Sequence, residues 1–274
     1  MYNYIRKIYN ENKMLFTHGY LKMVPSYMSE KYSYEPNFIE YLIEDIPIIE
    51  IFPCDCLDAA KYLKMKGYNP VVLNMTDVNL PGGGIEIGGY DQEESLFCRS
   101  NYFKTLNLET GLYPINKAEC IYSPNVFICR NSNLNIHIDP FYISFIASAA
   151  IKEPKLIDNK FTKGDYDLTF KKIEVIFQVA NFKKHDSLVL SSFGCGAYKN
   201  PKEEITEIFN NCIKKYGHLF KFIIFAIIPK KDIENRYTLK NDNDDCNFIF
   251  FKNQINKKFD QIKTNEFKFL DFGF

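Results

Sequence analysis

The sequence predicts an α/β protein whose largely parallel or mixed sheet is covered by helices. Three observations carry that prediction. VVLNM (71–75), SLVLSSF (187–193) and FKFIIFAII (220–228) are short, nearly continuous apolar runs, the mark of strands buried on both faces. From about residue 50 such runs alternate with stretches of helical periodicity. No internal repeat or linker-like stretch divides the 274 residues. The predicted organisation is an N-terminal helical extension over residues 1–50 and one α/β domain over residues 51–274.

The elements follow in order. IRKIYNENKMLF (5–16) reads as a helix, and the stretch after it as loop with short pieces. CLDAAKYLKMKG (56–67) has apolar residues near helical spacing, with Gly67 as a stop signal. Asn69-Pro70 breaks the chain before the strand VVLNM. A glycine-rich loop follows, then a predicted helix from about Asp91 to Leu106. IYSPNVFIC (121–129) reads as strand, turn, strand, and FYISFIASAA (141–150) opens with another strand. Ile173, Ile176, Phe177 and Ala180 fall at i, i+3, i+4 and i+7 and mark an amphipathic helix. SLVLSSF runs into GCGAYKNP (194–201), where Asn200 and Pro201 read as N-cap and N1 of the next helix. That helix carries Ile205, Ile208, Phe209, Cys212 and Ile213 on one face. FKFIIFAII reads as a central strand closed by Pro229. A polar insertion, NDNDD (241–245), and a helix beginning CNFIFF complete the chain.

Composition narrows the function classes. Lys+Arg and Asp+Glu both number 34, so the formal net charge is zero. A generic nucleic-acid binder carries a basic excess, so direct DNA binding is not expected. The eight cysteines form no CxxC pair, and several lie in apolar runs. They read as buried reduced thiols rather than a zinc site or a disulfide framework. His18, His137, His185 and His218 are scattered without metal-ligand spacing, and no metal or cofactor is expected. The N-terminus lacks the apolar core of a signal peptide, and no apolar run approaches the roughly 20 residues of a membrane span. An intracellular, soluble monomer is expected.

Two glycine loops carry the chemistry. The strand VVLNM leads through TDVNL into PGGGIEIGGYDQEES (81–95), where five of the 13 glycines fall within eight positions. SLVLSSF leads into GCGAY. Glycine lets a ligand approach the backbone without a Cβ in the way, and successive N–H groups can cradle an anion. Ligands of open α/β sheets bind beyond the carboxyl ends of the strands. Two such loops therefore point to a ligand containing a diphosphate. Neither loop ends in Gly-Lys-Ser/Thr, and the G-x-G-x-x-G spacing is absent. Glu93 and Glu94 are neighbours, so on a helix they point about 100° apart and take different roles. A solvated helix start accounts for DQEE taken alone, because acidic residues favour the positive end of the helix dipole. Cys195, in the second loop, has no His near it in sequence to make it a nucleophile. Arg99 is read as a brace that pairs with an acid.

The segment NMTDVNLPGGG, followed after seven residues by QEESLFCRS, resembles the signature of the poly(ADP-ribose) glycohydrolases of microbial type. LDAAKYL, IYSPNVFICR, LVLSSFGCGAYKNPKEEI and FIIFAI extend the resemblance over about residues 50–228. It implies a macrodomain-like mixed sheet sandwiched between helices, and cleavage of ribose–ribose O-glycosidic bonds in poly(ADP-ribose) or on an ADP-ribosylated protein, with ADP-ribose as product. It further implies that Glu94 is the catalytic general acid/base and that Glu93 orients ribose hydroxyls. Gln92 and Asp77 belong with the ligand. Gly82, Gly83 and Gly84 would pack on the ribose and diphosphate, with Gly194, Cys195, Gly196 and Ala197 around the diphosphate from the other side. Tyr198 stands where the family has Phe, a ring that positions the scissile ribose. Asp77, Leu80 and Ile87 also depart from the usual pattern, and a carboxylate at 77 is expected either to repel the diphosphate or to bond a ribose hydroxyl. A macrodomain that binds ADP-ribose without cutting it, and a hydrolase of single ADP-ribose units on proteins, are the alternatives.

Overall fold

The computed structural model describes residues 2–35, 38, 40, 41, 46–229 and 247–256. The predicted NDNDD insertion and Cys246 lie outside them. In chain order the elements are α1 (Tyr2–Thr17), β1 (Glu30–Ser33), β2 (Ile48–Phe52), α2 (Cys56–Met65), β3 (Pro70–Met75), α3 (Gln92–Arg99), β4 (Glu119–Arg130) and β5 (Ile136–Ser148). A small hairpin, β6 (Leu156–Ile157) and β7 (Lys160–Phe161), leads to α4 (Lys163–Phe182), β8 (Ser187–Leu190), α5 (Lys202–Tyr216), β9 (Phe222–Ala226) and α6 (Asn247–Asn256).

Among the described residues one sheet runs β1-β4-β5-β3-β8-β9-β2. The neighbours from β5 to β2 pair in parallel, while β1-β4 and β4-β5 are antiparallel, so the sheet is mixed. Alternate residues of each strand face opposite layers, as the pleat requires. Leu73, Ile146, Leu190 and Phe225 pack against Ile173 and Phe177 of α4, Ile208 and Phe209 of α5, and Phe251 of α6. Val72, Phe145, Val189 and Ile224 face the other way, onto Leu57 and Leu63 of α2, Leu96 and Phe97 of α3, and Ile5 and Ile8 of α1. Burial on both faces is what the continuous apolar runs predict.

Several boundaries differ from the sequence reading, each because of a distant partner. The helix expected over 91–106 stops at Arg99. Ser100 takes extended backbone and bridges to Ile128, and a 3₁₀ turn follows at Tyr102–Lys104. The strand-turn-strand expected at 121–129 is the single strand β4, with a register shift between Ser123 and Val126 and Asn125 at φ 48°. Pro124-Asn125 is thus a bulge, which tolerates a proline, rather than a turn. Asn200 does not cap α5. Its amide donates to the Ile151 and Tyr198 carbonyls at 2.7 and 3.1 Å, and Pro201 takes the cap position. The central strand is β3, fourth of seven, and β9 lies next to the edge. Residues before 50 also contribute to the sheet, because EKYS forms the edge strand β1.

Helix α1 closes the layer on the side of α3. Buried Asn12 donates to the Phe97 and Ser100 carbonyls at 3.2 and 2.6 Å, taking up free carbonyls at the end of α3. Arg99, also at that end, pairs with Asp55 at 2.8 Å, and Asp55 in turn accepts from Leu57 N as the cap of α2. The brace read from the sequence therefore ties α3 to α2.

Candidate active site

Both glycine loops leave the carboxyl ends of adjacent parallel strands, β3 and β8. Between them lies a cleft of about 1010 Å³. Its floor includes Ala150, just past β5, so three neighbouring strand ends converge there.

The first loop folds on its own backbone. Gly83 N bonds Leu80 O, Ile85 N bonds Gly82 O, and Gly89 N returns to Gly84 O at 2.9 Å. The purpose of its glycines is visible in what a side chain would strike. A Cβ on Gly83 would sit 2.5 Å from Glu94 Oε1, and one on Gly89 would sit 3.2 Å from the same atom. The carboxylate of Glu94 thus occupies the space that side chains on the loop would need. Gly84 N donates to Glu94 Oε1 at 2.7 Å, and Asp91 N donates to Oε2 at 3.0 Å. The second bond is half of a capping box, with Glu94 at N3 of α3. Glu94 is only 7% exposed and Glu93 3%, so DQEE is not a solvated helix start.

Glu93 points the other way, toward the end of β3. Its Oε1 accepts from Thr76 Oγ1 at 2.6 Å and Asn74 Nδ2 at 3.2 Å, and its Oε2 from Asp77 N at 3.0 Å. Burial pushes its carboxyl up to about 7, against the pull of those donors. Gln92 uses both ends of its amide on β3, accepting from Met75 N at 2.8 Å and donating to Leu73 O at 2.9 Å. Successive residues of α3 therefore have three separate tasks, as their angular spacing on a helix allows.

The second loop turns at Gly194, φ 72°, where a Cβ would lie 2.7 Å from that of Ala150 and 2.8 Å from the Asn200 amide. At Gly196 a Cβ would meet nothing within 4 Å. Tyr198 reaches back across the cleft, and its hydroxyl donates to Asp77 Oδ2 at 2.9 Å.

Ten of the twelve expected site residues line the cleft: Asp77, Gly83, Gly84, Gln92, Glu93, Glu94, Gly194, Gly196, Ala197 and Tyr198. The other two do not. Gly82 faces away, its Cβ position 2.8 Å from the Phe97 ring. Cys195 packs into the core with its thiol toward Phe193 O, and burial pushes that thiol up to about 12, so it serves packing. No residue of α5 lines the cleft. Leu80 and Ile87, two departures from the familiar pattern, are exposed at the rim.

Several lining residues carry no chemical signal in sequence. Tyr9 belongs to the apolar stripe of α1, and Phe103 to the 3₁₀ turn after α3. Thr76 supports Glu93 and also bonds the Tyr113 hydroxyl at 2.6 Å. Adjacency to the strand end was the available clue for Thr76. Among the described residues no cluster of His, Cys, Asp or Glu suits a metal ion, and no helix is long and apolar enough to cross a membrane.

Residues 16–131, which include the first loop and both glutamates, match the family model "Microbial-type PARG, catalytic domain". The chain is similar in sequence and in fold to the microbial-type poly(ADP-ribose) glycohydrolases. The glycohydrolase of Thermomonospora curvata superposes with a TM-score of 0.71 at 20% identity, over 83% of this chain and 94% of that one. A mutant form of the same glycohydrolase gives 0.72 at 19% identity, over 92% and 99%. The Deinococcus radiodurans glycohydrolase in complex with ADP-ribose gives 0.65 at 17% identity, over 85% and 94%. The α/β architecture is thus that of the glycohydrolase structures, while the second loop lies beyond the residues the family model matches. No curated protein sequence matches.

Proposed function

We propose that the chain is a poly(ADP-ribose) glycohydrolase that cuts ribose–ribose O-glycosidic bonds and releases ADP-ribose, with Glu94 as general acid and then general base. The observation that carries this reading is the seating of Glu94. Its carboxylate is nested under the glycine loop, at the wall of a cleft that Gly194, Gly196 and Ala197 also line. The family-model match over the glycine–glutamate segment supports it, as does the likeness in fold to a glycohydrolase holding ADP-ribose.

In the proposed reaction a diphosphate lies between the two loops, held by main-chain N–H groups of the second loop rather than by a basic field, because Gly83, Gly84, Ile85 and Gly89 of the first donate theirs within the protein. Protonated Glu94 donates its proton to the leaving ribose oxygen as the C1″–O bond breaks. The oxocarbenium character left on the ribose is stabilised by the adjacent diphosphate. Glu94, now ionised, takes a proton from water as that water attacks C1″, which restores the starting carboxyl. General acid help of this kind contributes about 10²–10⁴-fold, so positioning by the loops supplies much of the remainder. Glu93 orients ribose hydroxyls from its buried seat. The zero net charge fits a polymer held locally at the cleft rather than spread over a basic surface, and the reading includes an intracellular monomer.

The test uses purified protein and labelled poly(ADP-ribose). Glu94→Gln keeps an acceptor for Gly84 N and removes the transferable proton. Release of ADP-ribose should fall at least about 100-fold, while calorimetric affinity for ADP-ribose stays within a few-fold. Full turnover by that variant would refute the assignment. Tight binding by the wild type without any release would identify a binding macrodomain instead.

A further inference from the structure

We propose that Asp77 is a positioning residue whose carboxylate straps Tyr198 to the first loop and sets the two walls of the cleft before a ligand enters. The inference rests on the glycohydrolase reading above for what the strap positions, but the strap itself is made by the protein's own side chains.

Asp77 is fully engaged by the protein. Oδ1 accepts from Asn79 N at 2.8 Å and Leu80 N at 3.0 Å, which closes the turn into the glycine loop. Oδ2 accepts from the Tyr198 hydroxyl at 2.9 Å. Its own N–H donates to Glu93 Oε2. One residue thereby links the buried carboxylate of α3, the turn before Gly82 and the aromatic ring of the opposite loop. Three donors share the Asp77 charge, so it is directed at the protein rather than at a bound diphosphate. Neither behaviour expected from the sequence alone, repulsion or a ribose bond, is needed to account for it.

Tyr198 is moored at its other end too. Its carbonyl accepts from Glu153 N at 3.0 Å and from the Asn200 amide at 3.1 Å. Burial, and then the Asp77 carboxylate, push the phenol above its ordinary range, so the hydroxyl remains a donor at every working pH. With both ends held, the ring has one orientation over the cleft. A phenylalanine at this position would keep the two backbone bonds and lose the one that fixes the far end of the ring.

A double-mutant cycle tests the strap. Tyr198→Phe keeps the ring and removes the bond. Asp77→Ser keeps a hydroxyl to cap Asn79 N but is too short to reach Tyr198. In ligand-free protein each single variant should lower Tm by about 3 °C, and the double variant should fall no further than the lower single. On poly(ADP-ribose), kcat should fall about 10-fold in each single and no further in the double, with KM changed less than about 3-fold. Additive losses in Tm, or an unchanged Tm in Tyr198→Phe, would overturn the strap. Additive losses in kcat, or a loss confined to KM, would overturn its positioning role. A wild type that cuts no polymer, together with a coupled Tm cycle, would overturn the glycohydrolase reading and leave the strap standing.

Discussion

Gly83→Ala separates the two demands on the first loop. Gly83 sits at φ 54°, so an alanine there bears left-handed strain of about 1–2 kcal/mol. Its methyl would lie 2.5 Å from Glu94 Oε1 and 3.3 Å from Cδ. Relief means moving the carboxylate, since the Cβ is fixed to the backbone. Ordinary contact begins near 3.4 Å, so Oε1 must retreat by roughly 1 Å, and the 2.7 Å bond from Gly84 N is lost. For stability this is a modest change, because Glu94 ends a flexible side chain and can turn toward the cleft. With the strain it amounts to about 2–3 kcal/mol, a Tm drop of about 4–12 °C. For catalysis the same displacement is large, since misplacing a reacting group by about 1 Å costs on the order of 100-fold. The assay is ADP-ribose release from labelled polymer, run well below Tm, beside thermal unfolding. Gly196→Ala is the control: its methyl meets no protein atom within 4 Å, so Tm should hold while affinity for ADP-ribose falls. Gly83→Ala with undiminished turnover would refute the claim that the loop seats Glu94 for its task.

Two further predictions concern buried charge. Arg99→Ala leaves the Asp55 carboxylate without its partner at a largely buried site, which should cost about 3–5 kcal/mol in urea unfolding; a loss below about 1 kcal/mol would count against the brace. For Glu93, burial raises the folded carboxyl to about 7, above its unfolded value. Its contribution to stability is therefore fully present at acid pH below the unfolded value and lost as pH rises through about 7. The difference in unfolding free energy between wild type and Glu93→Ala should shrink by up to about 3 kcal/mol from pH 4.5 to 7.5. His185 works in the opposite sense. Burial lowers it to about 4, so it stabilises above its unfolded value and that stability is lost as pH falls toward 4. The difference measurement removes its effect, and a difference that grows with pH would contradict the assignment.

What the sequence made legible follows from how local the signal is. Strands β3, β8 and β9 and helices α2, α4 and α5 were readable because burial stamps a period on neighbouring residues. Helix α3 was read too long because Leu96, Phe97, Tyr102, Phe103 and Leu106 keep an apolar spacing past Arg99. The break depends on Asn101, whose side chain bonds Phe127 N and Pro25 O, partners far along the chain. Asn200 looked like a cap because Asn-Pro is a local signal, whereas its amide goes to Ile151 O. The four residues of β1 are too few and too polar to announce an edge strand. At the site, clustered glycines ahead of two glutamates marked a segment that lines the cleft, but not the reason for the glycines. The loop is free of side chains at Gly83 and Gly89 because its own glutamate fills that space. Such a fact needs coordinates, as does the meeting of Tyr198 with Asp77.

The most direct measurement is a crystal structure of the protein with ADP-ribose. The diphosphate is predicted to lie between the backbone of Gly83–Gly84 and that of residues 194–197, with a Glu94 carboxylate oxygen within hydrogen-bonding reach of the anomeric oxygen. A ligand bound outside this cleft, or bound in it with Glu94 turned away from the ribose, would contradict the account.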